Sequence, residues 1–143
     1  MPLRAMMLFR FASFCKRKKI PCLPGAIQRG LLRNYGFEIS SGAEIGGGLY
    51  VAHPVGTVIM VKRMGKNCSV IASVTIGMRN AWLFPEIGDQ VFIGAGARVL
   101  GDLRVDDRAV IGANAVVIDD VPADATVVGI PAKVIKINGT AVG

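Results

Sequence analysis

The chain has one histidine, His53, and it stands in Val51-Ala-His-Pro-Val-Gly-Thr57. Imidazole has the unperturbed side-chain pKa nearest neutrality, so His53 is the first candidate for a general base that takes a proton from a hydroxyl. Pro54 and Gly56 favour a tight turn that leaves the ring at the surface. A lone histidine is more often structural than catalytic; its position in the repeat pattern described below weighs toward catalysis. A covalent intermediate is not expected. The three cysteines, Cys15, Cys22 and Cys68, are odd in number and lack metal-ligand spacing. Cys68 stands two residues before Val70 and should face the core, and no serine lies in a nucleophile elbow.

The elements that position His53 follow a six-residue rhythm. Aliphatic residues recur at Ile87, Ile93, Val99, Val105, Ile111 and Val117. The residues two before the later guides, Val91, Ala97, Leu103, Ala109 and Ala115, are apolar or small. Residues two apart on a strand face the same way, so both sets point inward. Each hexad supplies one short strand and one turn, three hexads close a coil, and stacked coils make a parallel β-helix. Upstream, Ile39, Ile45 and Val51 keep the step, and Val58, Met64, Val70 and Ile76 resume it after one step of seven. The slip contains His53. A second irregularity separates Ile76 from Ile87 by eleven residues. Met78 to Pro85 should therefore leave the coil as a loop, and it carries Trp82, the only tryptophan.

Composition agrees with an aliphatic column: 52% of the 143 residues are hydrophobic but only 6% aromatic, at a length that suits one domain. The formal charge of +7 is uneven. Residues 1–37 hold eight Lys or Arg and no acid, while the rest holds nine basic and ten acidic residues. Residues 5–15 are largely apolar, interrupted by Arg10, and Lys16-Arg17-Lys18-Lys19 follow. That order is the reverse of a secretory leader. Two readings stay open: a membrane-surface helix with peripheral contact through residues 1–20, or a helix packed on the domain or a neighbouring subunit. Nucleic acid is disfavoured, because the nearby aromatics are apolar phenylalanines and no recognition motif is present. Pro21 and Pro24 break the chain. A second helix is expected over 25–35, with Ile27, Leu31 and Tyr35 on one face, a stop at Gly36, and a role in plugging the coil's open end. After Val117 come a closing turn, an extended segment to Ile135 and a loose tail from Asn138. Reduced cysteines and the lack of ~20 consecutive apolar residues fit a cytoplasmic chain, with the inner membrane face as its peripheral variant.

His53-Pro-Val-Gly56, Val74-Thr-Ile-Gly77, Ile93-Gly-Ala-Gly-Ala97, Ile111-Gly-Ala-Asn-Ala-Val-Val117, Asp120-Val-Pro122 and Val128-Gly-Ile-Pro-Ala-Lys133, in this order, resemble the hexapeptide-repeat acyltransferases, in their serine acetyltransferase-like branch. The resemblance runs from about Phe37 to Ile135. It implies an all-β fold, a left-handed parallel β-helix at 37–135 with a loop at 78–86. A short α-helical segment at 1–36 precedes it, and an extended C-terminal segment leads to a tail at 136–143. It also implies a homotrimer with active sites between subunits, acetyl-CoA as co-substrate and no metal. His53 aligns with the family's general base. The carboxylate that orients that base falls at Glu38, fifteen residues earlier and so about one coil away; a plain surface charge is the other reading. Gly94, Ala95, Gly96 and Ala97, with Ala113, Asn114 and Ala115, fall on the corners that line the CoA channel, though any β-helix needs small corners. Lys133 is a candidate for the CoA phosphates or a solvated lysine.

The sequence departs from the serine enzymes at the acceptor. Ala52 replaces an Asp before the histidine, and Leu83-Phe84 replaces an Arg-His pair before Pro85. A free amino acid brings two charges that need partners, whereas Trp82 and Phe84 suit the apolar face of a sugar ring. The lead-in Tyr35–Ile39 and the stretch Gly48–His53 look like those of short polysaccharide-modifying O-acetyltransferases. A glycan acceptor, small or lipid-linked, is therefore expected, with serine O-acetyltransferase and a non-catalytic β-helix assembly module as alternatives. A γ-carbonic-anhydrase-like zinc enzyme shares the coil but needs several histidine ligands, and one per chain disfavours it. Light scattering checks the assembly: three chains of 15.1 kDa give about 45 kDa, and a monomer mass would overturn the trimer.

Overall fold

The computed structural model describes residues 2–142; Met1 and Gly143, the outermost residues of the expected segments 1–36 and 136–143, lie outside the described residues. Two helices, α1 (Pro2–Arg17) and α2 (Leu23–Tyr35), precede the repeats. The first coil is β1 (Phe37–Ile39), β2 (Glu44–Ile45) and β3 (Tyr50–His53); the second is β4 (Thr57–Ile59), β5 (Arg63–Met64) and β6 (Ser69–Ala72). The third is β7 (Thr75–Gly77), β8 (Glu86–Ile87) and β9 (Phe92–Ile93); the fourth is β10 (Arg98–Leu100), β11 (Arg104–Val105) and β12 (Val110–Ile111). A fifth comprises β13 (Val116–Val117), a single bridge at Val121 and β14 (Ala125–Val128). An antiparallel hairpin, β15 (Lys133–Ile137) and β16 (Thr140–Ala141), then extends the face that ends in β14.

Each coil puts one strand on each of three parallel faces, β1-β4-β7-β10-β13, β2-β5-β8-β11 and β3-β6-β9-β12-β14. The pairing turns the sequence rhythm into three vertical columns. Ile39, Ile59, Ile76, Val99 and Val117 stack on the first face. Ile45, Met64, Ile87, Val105 and Val121 stack on the second. Val51, Val70, Ile93, Ile111 and Val127 stack on the third. All but the half-buried Ile45 are buried, as are Val91, Ala97, Leu103, Ala109 and Ala115. Each large aliphatic withdrawn from water contributes roughly 1.5–3 kcal/mol, so the columns are the main stabilising element. Cys68 is also fully buried, as its place two before Val70 requires.

One register expectation is corrected. Val58 is not the guide residue of β4; Ile59 is, paired with Ile39 and Ile76 and fully buried, while Val58 points outward beside Glu38 and Thr75. The step from Val51 to Ile59 is therefore eight and that from Ile59 to Met64 is five. Counting aliphatics alone could not separate two adjacent candidates, and strand alternation makes a one-residue error a change of face. The tail is corrected too. Asn138 and Gly139, at φ 50° and 76°, form a two-residue hairpin turn that pairs Lys136 with Ala141.

The helices close the N-terminal end. Pro24 sits in the first turn of α2, where its missing N–H costs nothing, so the helix starts before the expected Gly25. Gly36 ends it in the left-handed conformation at φ 57°. Leu31 is buried, Ile27 and Tyr35 pack against the core, and Gln28 Nε2 donates to the Ile39 carbonyl at 3.0 Å. Helix α1 buries Ala5, Phe9, Ala12 and Cys15, and Arg10 donates to the carbonyls of Ile45 (2.7 Å) and Gly46. One face of α1 thus packs on its own domain, while Leu3, Met7, Phe11 and Phe14 remain exposed. Among the described residues no helix is long and apolar enough to cross a membrane.

Denaturant unfolding distinguishes the two β4 positions. Ile59→Ala should cost roughly 2–4 kcal/mol and Val58→Ala less than about 1 kcal/mol; a reversed order would restore Val58 as the guide residue.

Candidate active site

The coil has three edges, and the candidate residues fall mainly on one. His53 ends β3, and the chain turns through Pro54–Gly56 into β4. This corner is braced: Thr57 Oγ1 donates to the His53 carbonyl at 3.2 Å, Thr57 N–H to the Pro54 carbonyl at 3.0 Å, and Gly56 N–H to the Gly36 carbonyl at 2.8 Å. Thr57 and Pro54 are buried, whereas His53 is exposed. The rigid part of the corner is thus inside and the ring outside.

Below it the same edge continues down the solenoid. His53 pairs with Ala72. Gly96 N–H donates to the Ala72 carbonyl and Asn114 N–H to the Ala95 carbonyl, both at 2.8 Å. Val116 N–H donates to the Gly129 carbonyl at 3.0 Å, and Lys133 pairs across from Val128. The corners 94–97 and 113–115 therefore stack in one line with the corner of His53, and exposed Lys133 stands at the far end. Smallness here is a packing requirement: a Cβ on Gly94 would lie 2.7 Å from the Ala113 nitrogen. Gly94, Ala97 and Ala115 are buried, so of these corners only residues 95–96 and 113–114 offer backbone to a ligand.

Glu38 is exposed on β1, in the outward row that runs Glu38, Val58, Thr75, Arg98, Val116 across the first face. It begins one strand beyond the His53 corner. Among the described residues neither the Glu38 carboxylate nor the His53 ring has a hydrogen-bond or ion-pair partner. Trp82 and Phe84 lie elsewhere. Their loop joins β7 to β8 on the next edge, where Trp82 is 78% exposed and meets Phe84 edge-on with ring centroids 5.6 Å apart. The loop folds toward Leu100 and Gly101 and leaves a hollow of about 230 Å³ beneath it. Within one chain the aromatic pair and His53 stand on different edges.

Sequence reasoning missed Arg98. Its Nη1 donates to the carbonyls of Ser73 (2.6 Å), Gly96 (3.0 Å) and Ala97 (3.3 Å), tying two successive corners of the His53 edge together. It occupies an outward position of an ordinary hexad, so only the stacked geometry reveals it.

The cysteines supply no nucleophile to this edge. Burial pushes the Cys68 thiol up, and its Sγ donates to the Gly88 carbonyl at 3.1 Å. Cys15 is buried and Cys22 exposed. Among the described residues no cluster of metal-ligating side chains is present. Titration with a chromogenic disulfide should modify one thiol in the native protein and three in denaturant; rapid native modification of Cys68 would contradict its place in the column.

A model of the bacterial transferase hexapeptide (six repeats) matches residues 84–119. The serine acetyltransferase of Synechococcus elongatus is 34% identical over 97% of this chain and 59% of its own. The structure of soybean serine acetyltransferase complexed with serine superposes with a TM-score of 0.86 at 33% identity, over 92% of this chain and 56% of that one. A serine acetyltransferase in complex with CoA gives 0.85 at 30%, over 92% and 55%. The chain thus spans between half and three-fifths of the length of these relatives. They carry the name of the serine enzymes, the alternative, and not of the polysaccharide-modifying enzymes expected from Tyr35–Ile39 and Gly48–His53. By repeat, by sequence and by the superposition of its coils, the chain is a hexapeptide-repeat protein with the left-handed β-helix of the serine acetyltransferases, its homologues along that helix.

Proposed function

We propose that the chain carries out acetyl-CoA-dependent O-acetylation, with L-serine as the acceptor its relatives favour. The observation that carries this reading is the single edge on which an exposed histidine stands in line with the small-residue corners 95–96 and 113–114. Such an edge accepts the thin pantetheine arm of acetyl-CoA along main-chain N–H and C=O groups, with Lys133 toward its phosphates. His53 takes the proton from the acceptor hydroxyl as oxygen attacks the thioester carbonyl. The tetrahedral oxyanion is held by a corner N–H. Collapse expels the CoA thiolate, which recovers the proton from the imidazolium, so the ring ends neutral. Transfer is direct, and its rate rests on proximity and one general base. Glu38 is the positioning residue for the ring once a substrate closes the site.

A trimer supports the same chemistry. Because the loop bearing Trp82 and Phe84 stands on a different edge from His53, the loop meets a histidine only across a subunit boundary. Within this frame a second acceptor class, a sugar hydroxyl, is favoured by one observation. The loop offers an exposed Trp82–Phe84 pair and Leu83, with Ala52 beside the histidine, where the two charges of an amino acid need partners. A cytoplasmic setting fits either acceptor, since acetyl-CoA is available there.

CoA release from acetyl-CoA by wild type and His53→Ala, with L-serine and a panel of mono- and oligosaccharides, tests the reading. Serine-dependent release should fall by roughly two orders of magnitude or more in the variant. Turnover with sugars alone would replace serine by a glycan hydroxyl. Equal rates in both proteins would remove His53 from the chemistry.

A further inference from the structure

A second concavity of the chain lies away from the His53 edge. A cleft of about 750 Å³ lies between α1 and the second face of the first two coils. Five cations line it: Arg10, Lys16 and Arg17 from the helix, Arg63 and Lys66 from the coil. Two carboxylates, Glu44 and Asp89, also reach it. Asp89 is engaged, since its Oδ1 accepts from the Lys66 backbone N–H at 2.7 Å. Among the described residues the ion pairs are Lys62–Glu86, Arg104–Asp106 and Arg108–Asp124, so none of the five cations has a carboxylate within ion-pair distance.

Three features make this more than a solvated basic surface. Arg10 is held in place by the Ile45 and Gly46 carbonyls, and it is part-buried. Its guanidinium pKa is lowered by that burial and by the charge of Arg17 beside it, a repulsion the fold leaves standing. Lys16 and Arg17 are not needed to cap α1. The carbonyls of Phe14, Cys15 and Lys16 already accept from the backbone N–H groups of Lys18, Ile20 and Lys19. Finally, Ser13 lines the cleft, is only 8% exposed, and its Oγ is buried with no hydrogen-bond partner among the described residues. A buried hydroxyl left unpartnered is destabilising, and crowded like charges add to that. An oxyanion that accepts from the hydroxyl and the cations relieves both. Tetrahedral phosphate does so best, because it presents several acceptor oxygens to Arg, Lys and hydroxyl donors at once.

We propose that the cleft between α1 and the second face binds a phosphate-bearing anion at a site separate from the His53 edge. No residue of the corners 53–57, 94–97 or 113–115, nor of the loop 78–85, lines it. Its volume exceeds that of one phosphate, so the ligand is a phosphate ester or diphosphate, free in solution or carried as a lipid headgroup beside the exposed Leu3, Met7, Phe11 and Phe14.

Calorimetry of the full chain with inorganic pyrophosphate, in saturating CoA, tests the site. Saturable binding is expected, weakened about tenfold or more by Lys16→Ala/Arg17→Ala and severalfold by Ser13→Ala. Lys18→Ala/Lys19→Ala removes the same charge outside the cleft and should change it less than about twofold. Circular dichroism confirms that each variant is folded. Co-sedimentation with phosphatidylglycerol and phosphatidylcholine vesicles separates the sources. Loss of phosphatidylglycerol binding in the first pair, but not the second, assigns a lipid headgroup; pyrophosphate binding without vesicle binding assigns a soluble phosphate. Absence of specific binding in both arms, equal effects of the two pairs, or abolition by CoA would each overturn the proposal.

Discussion

Everything in this molecule depends on the requirement that a three-sided coil close on a filled interior. A coil is only three short strands around a column one side chain wide, and its walls are made of backbone bonds to the coils above and below. The column must be occupied at every level, because a gap would leave the surrounding aliphatics without contacts on one side. That is why Ile39 to Val117 on the first face, and their counterparts on the other two, form unbroken stacks. It also explains why bulky aromatics are absent from most of the interior, with Phe37 placed only at the top, under the helices.

The same closure leaves the corners as the place where variation is tolerated. On the edge from the second to the third face, Asn67, Gln90, Arg108 and Asp124 all adopt positive φ, so polar residues that tolerate this conformation turn the chain there. The edge that holds His53 turns in the same way, at Gly56, Ser73, Gly96 and Asn114. It contains the eight-residue step and the smallest residues, and Arg98 ties its carbonyls together from outside. The candidate chemistry therefore sits at one of the two breaks in the repeat. The second irregularity, the loop before Pro85, projects its aromatic pair from another edge, which is why a single chain leaves the candidate acceptor residues apart from the candidate base.

The N-terminal helices solve a separate problem. The first coil has no coil above it, and α2 covers it with Leu31 and Gln28 while α1 lies against α2. The surplus positive charge of the chain is carried by these helices and not by the solenoid. Packing α1 beside β2 and β5 places its cations against two more, Arg63 and Lys66, that a linear reading assigns to an otherwise balanced domain.

The six-residue period by itself determined the parallel β-helix, the burial of its guide residues, the looping-out of Met78–Pro85 and the outward turn at His53. These are readable because a solenoid makes local sequence and global position the same thing: each residue's face follows from its place in the hexad. The two helices and the stop at Gly36 were legible for the same local reason. What the sequence did not determine were relations between levels. The choice of Ile59 over Val58 needed the coil above, since both are aliphatic and adjacent. The bracing by Arg98 needed partners brought alongside by stacking, whereas Asn138-Gly139 is a local hairpin signal that the expectation of a loose tail overlooked. The alignment of residues 53, 95–96 and 113–114 on one edge, the separation of Trp82 from His53, and the cleft beneath α1 were decided by tertiary structure alone. They depend on which corner each step turns, and a step that is one or two residues long or short moves every later side chain around the coil.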